Sequence, residues 1–132
     1  MMKWSAAALV LLLPVALTGC DQGQDAAVRE SAEAFGQAVS AQDWARACQL
    51  LAPETRSEVE SAAKSPCESA LAEEDLSAPG LSGRAEVFGT TAQVRYRGGA
   101  LFLTRFADGW RVLAADCAPQ APKPYDCTVH GG

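Results

Sequence analysis

Midway along the chain the spacing of apolar residues changes, and this limits the available folds more than any other feature. Val28, Ala32, Phe35 and Val39 recur at intervals of four, three and four, the period of one helix face. Beyond about residue 80 the period changes: "TAQVRYR", "ALFLTRF" and "WRVLAAD" are short β-type segments bounded by glycine-containing turns. Helices first and strands afterwards point to an α+β domain with an antiparallel sheet.

Within the helical half, Asp25 is placed to cap the first helix and Ser40-Ala41-Gln42 to end it. Asp43 caps a second helix through Leu51, and Pro53 stops it. "PETRSEVESAAK" predicts a third helix, with Pro53 before its first turn and its acids early, where the helix dipole favours them. Pro66 breaks that helix, "CESALAEEDL" adds a last turn or two, and "SAPGLSG" is a loop.

"AEVFG" and the three segments above make four strands, split by Gly89-Thr90, Gly98-Gly99 and Asp108-Gly109. Short turns fix a register that sorts side chains by face. One face collects Ala92, Val94, Tyr96, Leu101, Leu103, Val112 and Ala114, and belongs under the helices. Arg105 and Asp116 fall with that inner set. The other face collects Gln93, Arg95, Arg97, Phe102, Thr104, Phe106, Arg111 and Leu113. Its mixture of arginine and aromatic residues has the composition of an interface.

Five cysteines and an uneven charge narrow the setting. The chain carries 16 acidic and 11 basic residues, a formal charge of −5. From Cys20 to Gly80 four basic residues face twelve acidic ones, whereas from Leu81 onward six face four. The acidic half argues against nucleic acid as a partner. There is no Cys-x-x-Cys, and His130 is the only histidine, so the closely spaced ligand pairs of a structural zinc site are missing. No Gly-x-Ser-x-Gly motif, phosphate-cradling glycine loop or calcium-loop spacing appears. No metal or cofactor is expected.

The first residues read as a leader: Lys3 precedes an apolar stretch from Ser5 to Leu17. That stretch falls short of the roughly 20 apolar residues a spanning helix needs. It ends in "LTGC", Leu17 to Cys20, which resembles the bacterial lipobox. The resemblance implies a signal peptide over 1–19, a lipidated Cys20, and a position on the outer surface of the cell membrane. Residues 20–25 are then a flexible tether and 26–132 one domain, with helices over 26–76 and sheet and tail over 81–130. With Cys20 lipidated, Cys48, Cys67, Cys117 and Cys127 form an even set in an oxidising compartment. Four cysteines allow three pairings. Cys48–Cys67 and Cys117–Cys127 are favoured because each closes a short local loop.

"SAEAFGQAVSAQDWARACQLLAPETR", "CESAL", "GWRVLAADCAP" and "PYDCTVHG" together resemble small secreted lipoproteins of high-GC Gram-positive bacteria with an NTF2-like, or cystatin-like, domain. The likeness covers residues 25–130. It implies helices packed on a curved four-stranded antiparallel meander that encloses a cone. Relatives with this fold include ketosteroid-isomerase-like and SnoaL-like enzymes as well as lipoproteins without known activity, so fold alone does not fix function.

Two sets of candidate residues follow. Tyr96, Arg105, Asp116, Trp44 and Trp110 could line a small apolar-ligand pocket or an isomerase-like site inside the cone. The tryptophans equally fit the helix–sheet junction, where an indole buries much area. Arg95, Arg97, Phe102, Phe106, Arg111 and Leu113 are the candidate interface, for a protein partner or a second copy. The expected function is a non-enzymatic binding or interaction module held to the membrane through the Cys20 lipid; the alternatives are the ligand pocket or enzyme, and a purely structural envelope protein.

Overall fold

A computed structural model describes residues 21–80 and 83–131; the leader and Cys20 lie outside them. Four helices come first: α1 (Asp21–Ser40), α2 (Trp44–Leu50), α3 (Pro53–Ala63) and α4 (Cys67–Glu73). Five strands follow: β1 (Arg84–Phe88), β2 (Thr91–Tyr96), β3 (Gly99–Phe106), β4 (Gly109–Gln120) and β5 (Lys123–His130). Each strand pairs antiparallel with the next, in the order β1-β2-β3-β4-β5.

The stripe read from the sequence is the buried face of α1, with Val28, Ala32, Phe35 and Val39 all inside. The helix starts earlier than expected. Residues 21–25, expected as a tether, are helical and belong to α1. Gln42, in the left-handed region at φ 55, turns the chain away from α1. Asp43 then caps α2, its Oδ1 accepting from the Arg46 N–H at 3.1 Å. Pro53 occupies the first turn of α3, where its missing N–H leaves no orphan.

The sheet has five strands, not four. The tail expected to hold only a disulfide forms β5, although Pro124 lies within it. An edge strand tolerates that proline because one side of its backbone needs no ladder partner. The β-turns sit at 89–90, 97–98 and 107–108, so Gly99 and Gly109 open strands instead of closing turns.

β4 is irregular. Leu103 pairs with Val112, Phe102 with Ala114, and Ala100 with Cys117, so β4 carries two extra residues against β3. These bulges move Ala114 off the expected inner face and place it with Phe102. The stretch of β4 before Leu113 has no β5 beside it. There the α2–α3 junction closes the edge: Leu51 bridges Val112, and the Ala52 N–H donates to Val112 O at 2.8 Å.

Two disulfides join these elements, in the expected pairing. Cys48–Cys67 ties α2 to the start of α4, with Cα atoms 6.1 Å apart. Cys117–Cys127 joins directly paired positions of β4 and β5.

Candidate functional site

The core between α1 and the sheet is packed, while a pocket of about 160 Å³ opens between α3, α4 and β5, lined by Val59, Ala62, Leu71 and Val129 among others. Phe35, Leu71, Leu101, Leu103, Val28, Val112 and Val129 are all fully buried between helices and sheet. The pocket beside Arg29, Glu33, Val94 and Leu101 holds only about 10 Å³, room for about one water.

The five candidate pocket residues do not converge. Tyr96 precedes the β2–β3 turn, and Asp116 lies near the same end, close enough for its charge to act on the phenol. Arg105 and Trp110 face each other across β3 and β4 near the other turn, with the guanidinium carbon 6.0 Å from the indole centre. At about 3.3 Å per residue, Ala100 and Arg105 alone stand about 16 Å apart along β3. Trp44 opens α2 and packs on the core, and Trp110 is buried.

Tyr96 is half-buried, and burial, then the negative Asp116, raises its pKa above the ordinary 10.0. That direction keeps the phenol neutral, the reverse of what a base or nucleophile requires. Asp116, at φ 54 in the second bulge, accepts from Thr128 Oγ1 at 2.8 Å. Among the described residues no group of three His, Cys, Asp or Glu could hold a metal ion. No described helix is long and apolar enough to cross a membrane.

The outer face carries a different arrangement. A groove of about 380 Å³ runs over it, lined by Phe88, Gln93, Phe102, Leu113, Ala114 and Gly131 among others. Phe102 is held edge-on by Tyr125, ring centres 5.4 Å apart at 74°. Gln93 Nε2 donates to the Tyr125 hydroxyl at 3.1 Å, fixing that wall. Ala100, Ala114 and Cys117 bury themselves beneath, making a second apolar cluster separate from the main core. At the groove's margin Phe88 is 60% exposed, the one large hydrophobic side chain so placed among the described residues.

Of the six candidate interface residues, Phe102 and Leu113 line this groove. Arg95 pairs with Glu86, both on the outer face. Phe106 is half-buried near the end of β3, and Arg97 is exposed in the β2–β3 turn. Arg111 turns away, donating to Asp108 Oδ2 at 2.6 Å and to the Gln49 carbonyl. Phe88 and Tyr125 were not among the expected residues. Phe88 lies opposite Thr91 across a two-residue turn, so carrying the alternation of β2 back into "AEVFG" places it on the face of Gln93 and Phe102.

Comparison with protein-family models, with curated proteins and with solved structures returns no match.

Proposed function

We propose that the protein is an exported, non-catalytic interaction module, tethered to the outer surface of the cell membrane through a lipid on Cys20. In this reading its working surface is the outer-face groove, and its fold is of the NTF2-like kind. Two disulfides support an oxidising compartment. Two acyl chains on Cys20 would give a stable anchor, since each buried CH₂ contributes about 0.8 kcal/mol. The observation that carries the reading is Phe88, an exposed aromatic beside a preformed apolar groove. The groove suits one or two apolar side chains from a partner protein, with Glu86 and Arg95 offering polar contacts on the same face.

Phe88→Asp tests this without disturbing the core, because the side chain is already mostly in water. The variant is expected to unfold within about 0.5 kcal/mol of the natural protein and to lose partner capture or self-association. Unchanged association, measured by sedimentation and affinity capture, would remove the groove from its role.

A further inference from the structure

Where α1, α2 and α3 meet the β3–β4 turn lies an open polar cleft of about 530 Å³. Arg46, Arg56 and Arg111 line it, with Ser31, Gln49 and Asp108 around them. The arginines come from α2, α3 and β4, so neither helical nor strand period explains their meeting. Two of them belong to the four basic residues of the acidic stretch from Cys20 to Gly80. Asp108 is the only carboxylate lining the cleft among the described residues.

The three guanidiniums are held to different degrees. Arg111 is anchored by Asp108 and the Gln49 carbonyl. Arg56 Nε donates to Glu60 Oε1 at 3.1 Å, an exposed pair that contributes little and exchanges readily. Arg46 has no side-chain ion pair among the described residues. Most of their N–H donors are left unengaged.

We infer that this cleft binds a phosphoryl group. One carboxylate is satisfied by a single guanidinium fork. A phosphoryl group carries about −1.5 to −2 charges and three acceptor oxygens, which suits donors arriving from three elements. The bound group would share Arg111 with Asp108 and draw Arg56 from Glu60. This site is separate from the outer-face groove and does not depend on it.

The test follows the arginine Nε–H resonances of the full chain carrying Cys20→Ser, titrated with sodium phosphate at constant ionic strength. Saturable shifts at Arg46, Arg56 and Arg111 are expected, and the Arg46→Gln/Arg56→Gln pair should weaken binding about tenfold or more. Near-UV circular dichroism checks that the pair leaves the fold intact. Cosedimentation with phosphatidylglycerol vesicles, lost in the double variant, would assign the phosphoryl group to a lipid headgroup. Sedimentation no greater than with phosphatidylcholine, beside saturable phosphate binding, would assign it to a free phosphate. Absent saturation, equal saturation by acetate, or a double variant that binds like the natural chain would overturn the inference.

Discussion

Thr55 is fully buried, and its hydroxyl donates to the Leu113 carbonyl at 2.8 Å. The Gly131 N–H reaches the same carbonyl at 3.0 Å. A Cβ on Gly131 would sit 2.6 Å from Thr55 Oγ1, so this crossing of α3, β4 and the tail needs glycine. Because Gly131 keeps the carbonyl partnered, Thr55→Val should cost about 1 kcal/mol in urea denaturation. A loss beyond about 3 kcal/mol would mean the acceptor had been orphaned. Tyr96 gives a pH signature. Its raised pKa means the folded state holds the phenolic proton more tightly than the unfolded chain. That contribution is complete below the ordinary value of 10.0 and is lost as pH rises through the folded value. Thermal melts should show Tyr96→Phe losing less stability than the natural chain between about pH 9 and 11; parallel losses would contradict the linkage.

Among the elements, β4 and β5 decide what the outer face becomes. The helical stripe of α1, the cap at Asp43 and the helix-then-strand order were legible because each depends on neighbours in sequence. The bulges in β4 were not, since they answer to packing against β3 and β5, and no alternation in "WRVLAADCAP" announces them. Strand β5 was hidden by Pro119, Pro122 and Pro124, which argue for a loop unless the strand is known to lie at an edge. Short loop lengths indicate the pairing of the disulfides but not their burial. Cys48 and Cys67 are each 1% exposed, whereas Cys127 is half-buried near the sheet edge. Dithiothreitol under native conditions should therefore open Cys117–Cys127 first, as followed by alkylation and peptide mapping. Simultaneous opening of both would show that access to the two bonds is gated by the same unfolding event.

Across the whole molecule, the proposed interaction role falls to the outer surface, because the interior is largely packed. Phe35, Leu71, Leu101, Leu103, Val28, Val112 and Val129 are fully buried between helices and sheet, and the pocket beside Val94 and Leu101 holds only about 10 Å³. Of the inner-face candidates, Tyr96 and Arg105 lie on β2 and β3 toward opposite ends of the sheet, and Asp116 sits in the second bulge of β4, which an unbroken alternation does not reveal. The outer face was legible as apolar and arginine-rich; its groove was not, because Leu113 joins Phe88 and Phe102 only through the bulged register of β4, and Tyr125 reaches Phe102 from a strand hidden by prolines. The proposed interaction role depends on that groove. Replacing Phe88 with photoreactive p-benzoylphenylalanine in the producing cells, and Gln37 on the exposed side of α1 as a control, tests it directly. A discrete adduct from position 88, lost when Leu113→Asp is added and absent from position 37, is the predicted result. No adduct at 88, or the same adducts from both positions, would contradict it.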